Sequence, residues 1–132
     1  MDVISIKDFP GIRIGNAQNV DGGTGCTVIL SEGGMCAGLD VRGGGPASRE
    51  SELLKPLANA QTIHAVLFGG GSAFGLDAGG GVMQFLEEKD IGFDVGVTKV
   101  PLVCQSDLFD LTVADPHCRP DKAMGYEACK NA

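Results

Sequence analysis

The residues whose types and spacing best suit chemistry form one glycine-rich stretch, residues 69–78, which reads Gly-Gly-Gly-Ser-Ala-Phe-Gly-Leu-Asp-Ala. The apolar run before it, residues 63–68, is typical of a buried strand. Apolar residues at helical spacing follow it, so the stretch predicts a strand, a glycine turn and a helix. Glycines let a ligand come close, and the free N–H groups at a helix start can hold an anion or a carbonyl oxygen.

The turn does not match a known catalytic or nucleotide-binding loop. It lacks the Lys and Ser/Thr ending of a triphosphate loop, and its glycines do not follow Gly-x-Gly-x-x-Gly. Ser72 sits where a nucleophile elbow has its serine, but Gly75 stands one position too late for Gly-x-Ser-x-Gly. Because no histidine is placed as its base, we expect Ser72 to cap the helix. A binding loop and a purely structural turn both stay open.

Other reactive residue types form no recognisable set. Four aspartates lie near expected element ends, where capping is their usual role: Asp40, Asp77, Asp107 and Asp110. The five cysteines are odd in number and widely spaced, and the two histidines, His64 and His117, lack the spacing of metal ligands. We therefore expect reduced, buried thiols, no metal and no cofactor, with Cys104 as the one thiol in a position to line a pocket.

Composition favours one soluble domain. The 132 residues are 43% hydrophobic and include 21 glycines without a repeat, which suits a compact α/β protein with many tight turns. The net charge of -7 argues against binding to nucleic acid. The sequence shows no signal peptide and no apolar run of about 18 residues, so we expect a cytoplasmic protein without a membrane partner.

The elements around the turn follow from local pattern. Strands are expected at residues 3–6, 12–15, 26–30, 35–42 and 108–113, and a turn at residues 31–34 would make the early strands a β-meander. Helices are expected at residues 48–54 and from Lys122 to about Ala132. Residues 79–81 place three glycines inside the central helix, each costing about 1 kcal/mol relative to alanine. We expect either that another element packs very close there or that the helix is locally broken.

Six blocks, in order along nearly the whole chain, resemble the L-aminopeptidase/D-esterase family, which also holds β-peptidyl aminopeptidases and nylon-oligomer hydrolases. They are Phe9-Pro10-Gly11-Ile12-Arg13-Ile14-Gly15, Gly25-Cys26-Thr27-Val28-Ile29-Leu30, Asp40-Val41-Arg42-Gly43-Gly44, Gly70-Gly71-Ser72-Ala73-Phe74-Gly75-Leu76-Asp77-Ala78, Leu108-Phe109-Asp110-Leu111 and Arg119-Pro120-Asp121-Lys122-Ala123. Each block alone is modest, but together and in this order they make a specific signal.

The resemblance implies both a fold and a mechanism. Family members resemble N-terminal-nucleophile hydrolases, so residues 1–132 would form one portion of a four-layer α/β/β/α sandwich. Such a precursor cuts itself ahead of a Ser or Thr, whose own α-amino group, with a pKa of about 8, then acts as the base. The family's nucleophile, lysine motif and oxyanion-hole asparagine lie beyond the matched region. This chain would thus be the N-terminal part of an α chain, with no catalytic residue of its own.

The resemblance also implies a pocket wall. Phe109 stands where relatives often have a tyrosine near the nucleophile, and phenylalanine has no hydroxyl to donate to an oxyanion. Phe109 is therefore expected to shape the substrate pocket, with a buried strand residue as the alternative. Further residues expected to line or support the same substrate-binding cleft are Phe74, Gly70, Gly71, Ser72 and Asp110. Asn16, where relatives often have histidine, is a smaller departure.

The function implied is that of an aminopeptidase or amidohydrolase acting on N-terminal residues of small peptides, amides or esters. Its partners would be a complementary β chain or C-terminal segment, in a tetramer of αβ pairs. One alternative is a non-catalytic domain that binds a small anion at residues 69–72. The other is an uncut, inactive relative with a structural role.

Overall fold

A computed structural model describes residues 3–132 as a mixed α/β structure, which confirms the expected fold class at that level. The strands are β1 (Arg13–Asn19), β2 (Thr24–Met35), β3 (Ser48–Arg49), β4 (Ile63–Gly69), β5 (Phe93–Asp94), β6 (Lys99–Val100) and β7 (Val103–Asp107). The helices are α1 (Ala78–Glu87) and α2 (Lys122–Lys130), and 3-10 turns cover Ile6–Asp8, Ser51–Leu54 and Ser72–Asp77. Among these residues, no helix has the length and apolar character needed to cross a membrane.

Five strands form one sheet in the order β1-β2-β4-β7-β3, while β5 and β6 form a separate antiparallel pair. All neighbours in the large sheet are antiparallel except β4 and β7, which run parallel and are joined through α1. Their register pairs Gly69 with Asp107 at the carboxyl ends of the two strands. The glycine turn after β4 therefore lies beside the chain that leaves β7.

The two faces of the large sheet differ because side chains alternate along each strand. Val28, Leu30, Ala65 and Leu67 face the helices and are fully buried in one hydrophobic core with α1 and α2. On the opposite face, Ile29 and Val66 are only half-buried and Phe68 is 47% exposed. Within residues 3–132, the sheet thus has one covered face and one apolar face that stays partly open.

The glycines inside α1 let the two helices touch backbone to backbone. A Cβ at Gly81 would lie 1.9 Å from the carbonyl oxygen of Lys122, and one at Gly125 would lie 2.0 Å from that of Ala78. Only a residue without a side chain fits at such separations. The close approach expected from residues 79–81 is therefore confirmed, and the approaching element is α2.

The expected opening β-meander is wrong beyond its first hairpin. Residues 3–6 form no strand but lead into a 3-10 turn, and β2 does not reverse at residues 31–34. Instead Gly34 adopts a φ of +84° at an irregularity in the ladder, and β2 continues to pair Met35 with Ile63 of β4. Residues 36–42 pair with no strand among residues 3–132. Since β4 occupies the edge of β2 that they would need, alternation alone could not make them a strand.

Two further elements differ from expectation. The strand expected at residues 108–113 is wrong, because the ladder ends at Asp107 and the chain then turns, with the N–H of Val113 bonded to the carbonyl of Asp110 at 2.9 Å. The helix expected at residues 48–54 is reduced to the 3-10 turn, since β3 pairs with β7 instead. The last helix is confirmed: it begins after Asp121, whose carboxylate accepts a hydrogen bond from the N–H of Met124 at 2.8 Å.

Candidate functional site

The glycine turn connects β4 to α1 through two consecutive residues in the left-handed region. Gly71 has a φ of +79° and Ser72 a φ of +54°, the latter uncommon for a residue with a side chain. The expected capping role of Ser72 is wrong, because Asp77, five residues further along the chain, occupies the cap position of α1. The 3-10 turn at Ser72–Asp77 intervenes, and it already provides carbonyl partners for the N–H of Ala78.

The N–H groups of the turn are turned toward the protein itself. Gly70 donates to the carbonyl oxygen of Gly25 at 2.9 Å, and Ser72 donates to that of Leu108 at 2.9 Å. Gly71 donates to Oδ1 of Asp110 at 2.6 Å. A carboxylate of the chain thus already occupies the place that an external anion would take. This arrangement argues against the anion-binding alternative for residues 69–72.

Asp110 holds the turn and the start of β2 together. Besides its bond to Gly71, its Oδ2 accepts a hydrogen bond from Oγ1 of Thr24 at 2.8 Å. A Cβ at Gly70 would lie 1.9 Å from Oδ2 of Asp110 and 2.4 Å from Oγ1 of Thr24, so this network requires glycine at that position. Asp110, which was expected to line the substrate cleft, therefore also stabilises the glycine turn from within.

A second polar group supports the turn from the side of the helices. Gln105 is only 2% exposed, and its Nε2 donates to the carbonyl of Gly75 at 2.8 Å and to Oδ1 of Asp107 at 2.9 Å. Oε1 of Gln105 and Oδ2 of Asp107 are buried without a partner among residues 3–132. Burial, reinforced by the charge of Asp110, raises the pKa of Asp107. Sequence reasoning missed Gln105, whose only signal is a polar residue after the apolar pair Val103-Cys104.

A cleft of about 540 Å³ opens beside the turn. Its walls come from β1, β2, the end of β4 and the chain after β7, and include Asn16, Thr27, Phe68, Gly70, Leu108 and Asp110. Several further lining side chains carry amides or hydroxyls: Gln18, Asn19 and Thr24. The cleft is thus a polar recess with an aromatic and an aliphatic wall, and it lies on the open side of the sheet.

The six residues expected to bind substrate are only partly brought together. Gly70 and Asp110 line the cleft, and Gly71 is bonded to Asp110 just behind it. Phe109 is 70% exposed between the lining residues Leu108 and Asp110, so the alternative of a buried strand phenylalanine is wrong. Phe109, Phe74 and Ser72 are not among the residues that line the cleft. The guanidinium of Arg119 stacks 3.6 Å from the centre of the Phe74 ring.

Cys104 lines a second, smaller cavity of about 210 Å³, together with Val66 and Phe68, as expected for a pocket residue. Its Sγ lies 3.7 Å from the carbonyl oxygen of Glu50, and burial raises the pKa of its thiol. Since the thiolate is the reactive form, this cavity wall is chemically quiet at neutral pH. In the described part of the chain, no cluster of three or more His, Cys, Asp or Glu is placed to hold a metal ion.

The buried thiols and the exposed thiol are expected to react with a labelling reagent at different rates. Burial raises the pKa of Cys26 to about 11 and that of Cys129 to about 12. The expectation of buried thiols is wrong for Cys36, which is exposed. Iodoacetamide at pH 8 is expected to label Cys36 rapidly and to label Cys26 and Cys129 only on unfolding, as read by peptide mass mapping. A Cys36→Ser variant should lose the fast phase, and rapid labelling of Cys26 in the folded protein would contradict the assignment.

The sign of the stability change follows from the same two thiols. In the unfolded chain a thiol loses its proton at a pH of about 8.5, whereas in the folded chain it keeps the proton to a higher pH. The contribution of these two thiols to the free energy of unfolding is therefore fully present below a pH of about 8.5. It falls as the pH rises through about 9 toward 11 and 12, the pKa values of Cys26 and Cys129.

Comparison with known proteins identifies the family to which the chain belongs. Residues 5–132 match peptidase family S58, and the chain belongs to that family, the L-aminopeptidase/D-esterase family. It is 42% identical over 136 residues to an uncharacterized aminopeptidase of Mycobacterium leprae, covering 97% of this chain and 38% of the relative. It is 32% identical over 126 residues to a 6-aminohexanoate-oligomer endohydrolase of Kocuria sp., covering 95% of this chain and 33% of the relative. The chain thus spans between a third and two fifths of the length of these relatives.

Proposed function

We propose that this chain is the N-terminal part of the α chain of a self-cleaving hydrolase that acts on small peptides, amides or esters. The observation that carries the proposal is the match to peptidase family S58 over residues 5–132. The Ser or Thr nucleophile, freed by the cleavage and using its own α-amino group as base, would come from a segment beyond residue 132. The role of this chain would be to form one wall of the substrate cleft.

The open face of the large sheet supports the fold that this proposal requires. In a four-layer α/β/β/α sandwich, α1 and α2 would form one outer layer, and a second sheet would cover Ile29, Val66 and Phe68. Covering these side chains would stabilise the assembled sandwich by about 25 cal/mol for each Å² of apolar surface removed from water. The second sheet would then bring its nucleophile to the cleft beside the glycine turn.

The proposed substrate class rests on the chemistry of the cleft and of the relatives. One relative is named an aminopeptidase and another a 6-aminohexanoate-oligomer endohydrolase, and both names describe the cleavage of amide bonds. The amide and hydroxyl side chains of Asn16, Gln18 and Thr24 suit hydrogen bonding to an amide substrate. The carboxylate of Asp110 and the net charge of -7 would favour a substrate with a free amino group over an anionic one.

The test is to measure intact masses and N-terminal sequences of all chains in the native protein. We expect two chains, the second beginning with Ser or Thr, assembled as a tetramer of αβ pairs in native mass spectrometry. A single uncut polypeptide without hydrolase activity would support the inactive structural relative instead. An uncut chain that binds phosphate at residues 69–72 would revive the anion-binding alternative, against the internal hydrogen bonds of the turn.

A further inference from the structure

Asn16 and Thr27 form a cross-strand pair on the wall of the cleft. They lie directly opposite each other in the ladder between β1 and β2, and both line the cleft. Oγ1 of Thr27 donates to Oδ1 of Asn16 at 2.6 Å. The carbonyl oxygen of Asn16 accepts a hydrogen bond from Nδ2 of Asn131, just beyond α2, at 2.9 Å. The side chain and the backbone of Asn16 are thus both held in place.

In the structure, Oδ1 of the Asn16 amide faces Thr27. Because Oδ1 is engaged, the amide is oriented with its nitrogen away from Thr27. The two Nδ2 donors of Asn16 have no partner among residues 3–132. An amide nitrogen is a donor only, so it seeks an acceptor oxygen. Because Asn16 lines the cleft, its Nδ2 is an uncharged donor available to a ligand that binds there.

The surrounding charge selects the kind of acceptor. Asp110 places a carboxylate on the same cleft, and the chain carries a net charge of -7. A carboxylate ligand would be repelled there, whereas the oxygen of a neutral carbonyl would not. Phe68 and Leu108 supply apolar wall for the aliphatic part of such a ligand.

We propose that Asn16, held by Thr27, is a specificity-determining residue that donates from Nδ2 to a neutral amide carbonyl of a substrate chain. This inference rests on the proposed function only in taking the ligand to be a substrate, since binding can be measured without turnover. It selects oligoamides with uncharged internal carbonyls over small anions. Thr27 acts as a positioning residue, because it acts through the orientation of Asn16.

The test is calorimetric titration of the intact protein with N,N′-diacetyl-1,6-diaminohexane, an uncharged bis-amide, with adipate as the anionic comparison. We expect the bis-amide to bind and adipate not to bind. Asn16→Asp, which keeps the shape but replaces the donor by an acceptor, is expected to weaken bis-amide binding about tenfold, the value of one hydrogen bond of about 1.4 kcal/mol. Thr27→Val should weaken bis-amide binding less than Asn16→Asp does, and Thr27→Ser, which keeps the hydroxyl, should leave the binding close to that of the native protein.

Each outcome separates this inference from the proposed function. Bis-amide binding that is lost in Asn16→Asp supports the inference even if the native protein shows no hydrolysis. Equal binding by the native protein and Asn16→Asp, or preferred binding of adipate, overturns the inference even if hydrolysis is seen. Because Asn16 is exposed, thermal unfolding should be the same in both proteins, which controls for misfolding.

Discussion

Replacing Gly81 by alanine is expected to lower the free energy of unfolding by about 3 kcal/mol or more. The new Cβ would lie 1.9 Å from the carbonyl oxygen of Lys122 and 2.6 Å from the backbone nitrogen of Tyr126. Both atoms belong to the backbone of α2, so no side chain can move aside and the two helices must separate. Overpacking of this kind typically costs 1–3 kcal/mol, and more where the backbone itself must move.

Gly80 offers a matched control one residue away in the same helix. A Cβ there would meet only Cγ and Cδ of the Lys122 side chain, both at 3.9 Å. Gly80→Ala should therefore raise the free energy of unfolding by about 0.5–1 kcal/mol, through better helix propensity alone. Urea denaturation of the intact protein would measure both variants. Similar values for the two would show that α1 and α2 are not in backbone contact.

Replacing Asp110 by alanine is expected to cost about 3 kcal/mol and most of any hydrolytic activity. The change removes two hydrogen bonds to a carboxylate, from the N–H of Gly71 at 2.6 Å and from Oγ1 of Thr24 at 2.8 Å. Hydrogen bonds to charged groups contribute about 1.5–3 kcal/mol each. Without them, only the backbone hydrogen bonds of Leu108 with Gly69 and Ser72 still join the chain after β7 to the glycine turn, so Leu108 is held less firmly at the cleft.

The conservative variant Asp110→Asn separates bracing from charge. Its Oδ1 can still accept from Gly71, and Oγ1 of Thr24 can accept from the new amide nitrogen. We expect it to keep most of the stability, as measured by thermal unfolding. If the charge of Asp110 serves only the turn, the Asp110→Asn variant should also hydrolyse substrate at a rate close to that of the native protein. An Asp110→Ala variant as stable as the native protein would refute the bracing role.

Local pattern predicted the strand–turn–helix at the centre of the site because each part depends on nearby residues. The apolar run at residues 63–68, the glycines after it and the helical spacing of Val82 and Phe85 all act within a few residues. The last helix was predicted for the same reason, since the helical spacing of Ala123, Tyr126 and Cys129 is a local signal. Pro120, expected in the first helical turn, instead lies just before the cap residue Asp121. The glycines in α1 correctly indicated a close neighbour, although they could not say that it was α2.

The expected strands at residues 35–42 and 108–113 failed because a strand needs a partner, which local alternation cannot supply. At residues 36–42 the edge of β2 is already taken by β4, and after Asp107 the chain turns toward Asp110. Ser72 failed as a cap for a related reason. The positive φ at Gly71 and Ser72 inserts a 3-10 turn before α1, so the serine does not reach the helix start.

The α/β character, the glycine turn and the family could be recognised before the fold was known, since all three rest on residue types in order along the chain. The role of Asp110 in the turn became visible only in the fold, because Asp110 lies 39 residues from Gly71 and is brought there by the parallel pairing of β4 and β7. The same holds for Gln105 beneath the turn and for the Asn16–Thr27 pair on the cleft wall. Hydrogen bonds between distant segments depend on the register of the sheet, which no local pattern specifies.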